Sequence, residues 1–311
     1  MAVTRPWQGV IVAVPTPFRA DLSVDYDRFQ EHVRWLTDEG CQGVAPCGPL
    51  GEYRSLSDGE RADVVRAAVE AVPNGRAVVP GVGGYGSRQA RRWAEQAQAA
   101  GAQAVLAPPP VGYPGGAAEV VAHYREVAAV GLPVVVCGDP AETTVDLTPD
   151  LLARIAETDG VVAVRERDVR SLHRVRDLCP HLDVLVGADD VLLELTVCGA
   201  TGWIGHSPNT LPGLCRRLQR LCAARDLAAA LPLYAQLHPL LSWGSQPEVV
   251  QAVKLAMEQI GRYGGPSRPP RGPLPPETEA RVYRDLRRAL RAADGSPRGP
   301  APGSSSVRRG G

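Results

Sequence analysis

Lysine is almost missing from this chain. Of the 34 basic residues only Lys254 is a lysine, and arginine supplies the rest. A desolvated amine can become the nucleophile of a Schiff base, whereas a planar, permanently protonated guanidinium cannot. Net charge is missing too, because the 34 basic residues are balanced by 34 acidic ones. That balance gives no electrostatic pull toward nucleic acid or an anionic membrane. Arg-rich stretches such as 281–291 read as solvated helix faces. No apolar run approaches the ~20 residues of a membrane span, and no basic-then-apolar export signal opens the chain. The seven cysteines are scattered and odd in number, without a CxxC pair or a Cys/His cluster of zinc spacing. Reduced, buried thiols are the expectation, which suits a cytoplasmic protein, and no metal or other cofactor is expected.

What is present is an alternation of apolar β-branched runs with amphipathic stretches, in a chain 44% hydrophobic and 22% charged. The runs at 10–14, 43–47, 77–82, 104–107, 133–137, 161–164, 183–186 and 202–204 predict strands. Helices are expected at 25–39, 57–72, 88–100, 117–130, 149–157, 169–178, 191–198 and 211–224, the second opened by a capping box of Ser57 and Glu60. Eight strand–helix repeats within residues 1–225 suit a (β/α)8 TIM barrel, and continuous rather than alternating apolar runs suit strands covered on both faces. A doubly wound sheet is the alternative, but no GxGxxG follows the first strand. Residues 226–293 predict a C-terminal helical extension with a Pro-rich link at 264–276, and 294–311 a disordered Gly/Pro/Ser-rich tail.

A set of short motifs runs in order along this frame. Pro15-Thr16-Pro17-Phe18 ends the first strand, and Gly48-Pro49-Leu50-Gly51-Glu52 follows the second, with Ser55-Leu56-Ser57 behind it. Pro80-Gly81-Val82-Gly83, Leu132-Pro133-Val134-Val135, Gly187-Ala188-Asp189-Asp190 and Gly199-Ala200-Thr201-Gly202 mark later strand regions. Gln246-Pro247 leads toward Lys254, and Gly264 to Pro270 form the link after that helix. Together these motifs resemble the dihydrodipicolinate synthase / N-acetylneuraminate lyase family. The resemblance implies a homo-oligomer, dimer or tetramer, acting on a small 2-oxo acid. It also implies a strand-six lysine that forms an imine, hydroxyls in the GxxGE loop that hold the carboxylate, and a strand-five tyrosine as acid/base. The protonated imine would serve as an electron sink and the tyrosine would move protons.

Nearly every position that carries that chemistry differs. Arg165, in the run Val161–Glu166, stands where the resemblance places the imine lysine, and Cys137 where it places the tyrosine. Pro49 and Leu50 replace the hydroxyls, and Pro49 also lacks a backbone N–H. Glu142 replaces an arginine, and Pro110-Val111 an aromatic pair with Tyr113 shifted nearby. Lys254 matches a family lysine that is not the imine former. The candidate catalytic residues are therefore Arg165, Cys137, Glu166 and His206, with Asp139 a further acid/base candidate. Thr16, Gly48, Pro49, Leu50, Gly51, Glu52, Asp139, Asp189 and Gly205 are expected around the ligand. Arg165 either grips a carboxylate or phosphate with its fork of donors or pairs with Glu52 or another mouth carboxylate. Cys137 is either a thiolate nucleophile or a small space-filler. Asp189-Asp190 is expected to cap the following helix, Glu52 to anchor its loop on backbone N–H groups, and His206 to be an acid/base or a satisfied polar group. Two readings follow. One is a lyase-family barrel that binds a small carboxylate without an imine; the other is a silent barrel acting as ligand sensor or as oligomeric partner of an active paralogue.

Overall fold

Eight short strands rich in valine and alanine define the frame: β1 (Gly9–Ala13), β2 (Gly43–Ala45), β3 (Ala77–Val78), β4 (Val105–Ala107), β5 (Val134–Cys137), β6 (Val161–Glu166), β7 (Asp183–Val186) and β8 (Gly202–Gly205). They belong to a computed structural model that describes residues 5–112, 115–138 and 143–292. All pairings are parallel, in the order β3-β2-β1-β8-β7-β6-β5-β4. The ring closes between the two end strands. The Val82 amide donates to Leu106 O at 2.9 Å and the Leu106 amide to Pro80 O at 2.9 Å, around a Gly81–Leu106 bridge. Helices α1 (Tyr26–Asp38), α2 (Asp58–Ala71), α3 (Ser87–Ala100), α4 (Ala117–Ala128), α5 (Pro149–Ala156), α6 (Val169–Leu178), α7 (Leu192–Val197) and α8 (Pro212–Ala223) follow the strands in turn. The fold is the (β/α)8 TIM barrel that the repeats predict.

Local chemistry sets the boundaries. Ser57 and Glu60 close the capping box on α2 in both directions, at 3.3 and 2.8 Å. β2 stops two residues before the expected Cys47, because Pro46 has no N–H for the ladder and Cys47 turns into the left-handed region at φ 58°. β6 runs two residues further than expected, and that extension places both Arg165 and Glu166 within the strand.

Side-chain alternation divides the barrel into two buried layers. Ile11, Ala45, Ala77, Ala104, Val135, Ala163, Leu185 and Ile204 fill the interior, while Val12, Val44, Val136, Val164 and Val186 face the helices. Three further helices, α9 (Leu227–Leu241), α10 (Val249–Gln259) and α11 (Pro276–Leu290), follow the barrel. Val250, Val253 and Met257 of α10 join the interior cluster, so this helix roofs the barrel rather than standing apart from it. Among the described residues no helix is long and apolar enough to cross a membrane.

Candidate functional site

A cavity of about 350 Å³ opens at the C-terminal ends of the strands, the end at which barrel enzymes carry out chemistry. Arg165 rises into it from β6. Its register partner across the β5–β6 ladder is Cys137, so the guanidinium and the thiol stand side by side on the cavity wall. The Arg165 side chain passes over the end of β7 and donates to Ile204 O at 3.2 Å. That path exists because residue 187 is glycine: a Cβ there would lie 2.7 Å from Arg165 Cγ. Arg167, two residues on, also lines the cavity. His206 enters from the end of β8 with its backbone fixed on both sides. Its amide donates to Asp189 at 3.0 Å, and its carbonyl accepts from Asn209 Nδ2 at 2.7 Å. The imidazole Nδ1 lies 3.7 Å from Asp189 Oδ1. Gly48 and Pro49 form the wall below β2.

The remaining expected site residues go elsewhere. Glu166 is one residue out of phase with Arg165 and points toward α6, where Ser171 donates to it at 2.8 Å; burial raises its pKa. Leu50 belongs to the barrel interior. Thr16 Oγ1 donates to Gly51 O at 2.8 Å, so these two brace each other and do not line the cavity. Glu52 does not pair with Arg165. It accepts from Lys254 Nζ at 2.7 Å and from the Arg268 amide at 3.0 Å, anchoring the C-terminal link rather than its own loop. Asp189 does not cap α7. Its buried carboxylate accepts from Trp203 Nε1 at 3.0 Å and the Ser207 amide at 2.7 Å, besides His206. Gly205 makes room for the Trp203 indole, which a Cβ would meet at 2.4 Å. Asp139, Glu142 and Tyr113 lie outside the described residues. Among the described residues, no three His, Cys, Asp or Glu side chains converge as metal ligands.

The profile of the Dihydrodipicolinate synthetase family matches residues 6–289, almost the whole chain. The chain belongs to the dihydrodipicolinate synthetase family. It is 31% identical over 295 residues to an uncharacterized DapA-like lyase of Rhizobium meliloti, covering 93% of this chain and 98% of that one. It is 32% identical over 291 residues to the 4-hydroxy-tetrahydrodipicolinate synthase of Syntrophobacter fumaroxidans, covering 90% and 98%. Among solved structures, the Acinetobacter baumannii dihydrodipicolinate synthase, crystallised with pyruvate, overlays with a TM-score of 0.87 at 26% identity, covering 91% of this chain and 99% of that one.

Against this family background the lining carries residues that the motifs did not mark. Tyr53 stands beside the GxxGE loop, its hydroxyl accepting from Arg54 at 3.1 Å and its ring facing the buried Arg61 at 5.2 Å. Thr143, Ser245, Gln246 and Arg271 complete the polar wall. Arg167 has a readable signal, since it shares strand parity with Arg165. Arg271 has none, because it arrives on a proline-rich link remote in sequence. Lys254 does not line the cavity: its ammonium is buried between Glu52 and Pro266 O, at 2.7 and 2.8 Å, and lies 4.7 Å from the Phe18 ring. Burial lowers its pKa, and the adjacent Glu52 carboxylate opposes that shift. Cys47, also in the lining, has its thiol pushed up to about 11 by burial and is no thiolate at neutral pH.

Proposed function

We propose that this dihydrodipicolinate synthetase-family barrel binds a small 2-oxo acid or related carboxylate in the cavity without forming a Schiff base. One observation carries the reading. The interior position at the end of β6 holds a guanidinium, Arg165, and the described lining contributes three arginines, a histidine and no carboxylate. A fork of fixed donors suits a carboxylate, and it has no amine to condense with a ketone. Lys254 offers no substitute, being engaged outside the cavity. Acid/base work falls to His206, the candidate that reaches the cavity wall with an ionisable ring. Cytoplasmic placement, supported by five cysteines buried in apolar surroundings, and assembly into a dimer or tetramer belong to the same reading.

The silent barrel, a ligand sensor or a partner of an active paralogue, is favoured by a different observation. Pro49 and Leu50 put no hydroxyl where the resemblance expects a proton relay, and Leu50 is wholly buried. Two experiments test these readings. Borohydride reduction with pyruvate is expected to leave the protein mass unchanged; a stable adduct on Lys254 would overturn the imine-free reading. A thermal-shift panel of 2-oxo acids is expected to give a stabilising ligand, because a ligand held only by the native state raises its melting point. Arg165→Ala is expected to abolish that shift, and an undiminished shift in the variant would remove the arginine from the site. A ligand that stabilises the parent but is never converted, with or without a second protein, would favour the sensor.

A further inference from the structure

We infer that Arg271 makes the cavity selective for a ligand with a second anionic group, such as a dicarboxylic 2-oxo acid. This inference rests on the reading of the cavity as a carboxylate site and names its substrate class. Among the described residues, Arg271 is the one cationic lining residue supplied from outside the barrel, on the link between α10 and α11. That link is held at successive points. The Gly264 and Gly265 amides donate to Glu258 at 2.8 and 3.1 Å, and Pro266 O accepts from Lys254 at 2.8 Å. The Arg268 amide donates to Glu52 at 3.0 Å, and its guanidinium grips Glu60, Leu22 O and Ser55 O. Arg271 follows three residues later, its backbone N–H returning to Arg268 O at 3.1 Å. It therefore stands on an anchored segment, at the wall between the cavity and a crevice beside α10.

The cations of this anchor are unequally paired. Lys254 has Glu52 at 2.7 Å, and Arg268 has Glu60 at 2.9 Å. Among the described residues, the carboxylate paired with Arg271 is the already occupied Glu52, at a long 3.9 Å. In these ion pairs three cations share two carboxylates, and the weakly paired guanidinium of Arg271 borders the cavity. Arg165 comes from the barrel interior and Arg271 from the roof, so the two guanidinium forks approach from different walls. A cavity of about 350 Å³ lies in the size range that accepts a whole small ligand. A ligand with an anionic group at each end satisfies both forks, and a monoanion satisfies one.

Isothermal titration with 2-oxovalerate and 2-oxoglutarate tests this, because the two have the same chain length and differ by one terminal carboxylate. The parent is expected to bind 2-oxoglutarate at least about tenfold more tightly, the gain of one charge-assisted, bidentate contact. In Arg271→Gln that preference is expected to collapse, with 2-oxoglutarate losing far more affinity than 2-oxovalerate. Arg271→Lys, which keeps the charge but not the fork, is expected to fall between. Arg165→Gln is expected to weaken both ligands alike. Circular dichroism of each variant checks that the fold is kept. Equal affinities in the parent overturn the inference, and so does a preference that survives Arg271→Gln; if Arg165→Gln still weakens both ligands, the carboxylate reading stands without it. A parent that binds neither acid overturns both.

Discussion

Two glutamates in opposite surroundings set the energetics around the site. Glu52, with its backbone in the left-handed region at φ 52°, carries a carboxylate wholly enclosed by the Lys254 ammonium, the Arg268 amide and, at longer range, Arg271. Removing one member of a buried pair leaves the other charged and desolvated, which costs about 3–5 kcal/mol. Glu52→Ala is therefore expected to lose that much stability in urea unfolding, and Glu52→Met with Lys254→Met less than the sum of the two single changes. A loss below about 1 kcal/mol in Glu52→Ala would mean that the pair is solvated. Glu166 presents the opposite case. Burial raises its pKa despite the Ser171 hydroxyl, so the folded state holds the proton more firmly than the unfolded chain does. Its ionised form therefore costs stability above the folded pKa, and the cost fades as pH falls through that value toward the unfolded 4.5. Glu166→Gln keeps an acceptor for Ser171. It is expected to raise the melting temperature at about pH 8 and to lose that advantage near pH 4.5. A variant that melts lower than the parent at about pH 8 would show that the carboxylate is stabilising.

The link at 264–275 shows how an element without secondary structure is held by single side chains. The Arg268 guanidinium hydrogen-bonded to Glu60 holds that carboxyl down at about 2. A depressed acid pKa gives stability that is present above the unfolded 4.5 and lost as pH falls from 4.5 to about 2. Amide-exchange protection in 264–275, corrected for intrinsic rates, is expected to drop across that window. Glu60→Gln should show the drop already at neutral pH, and protection unchanged in that variant would mean that the other contacts of the link suffice to anchor it. Glu60 also closes the α2 capping box, and only this first role was legible in sequence, because a box is a local pattern. The bond to Arg268 joins residues 208 apart. The same division runs through the site. α6 is predicted to the residue, and each strand run is found, because apolar periodicity and caps are local. The parity of β6 is harder to read: Val161, Val162, Ala163 and Val164 are all apolar, so the string does not say whether Arg165 or Glu166 faces inward. The clue is alanine, the residue that recurs in the crowded barrel interior at 13, 45, 77, 104 and 163. Two steps from Ala163 is Arg165.

Across the whole molecule the question is whether barrel and extension stand or fall together. At the N-terminal end, Trp7 packs into the interior cluster while its indole N–H donates to Asp183 at 2.7 Å. At the other end Val250, Val253 and Met257 of α10 join the same cluster, so one continuous apolar core runs from the floor through the strands to the roof. The cavity depends on that continuity, since Val249, Val250 and Gln246 come from the extension and Arg165, Cys137 and His206 from the barrel. Met257 is fully buried in this seam, and truncating such a residue costs about 2–5 kcal/mol through lost contact and residual cavity. Because the core is shared, the cost in Met257→Ala is expected to appear equally in the exchange free energies of the slowest amides in β8 and in α10, as in a single cooperative unit. If only α10 loses protection, the extension unfolds by itself, and the cavity then has a roof that can open while the barrel stays folded.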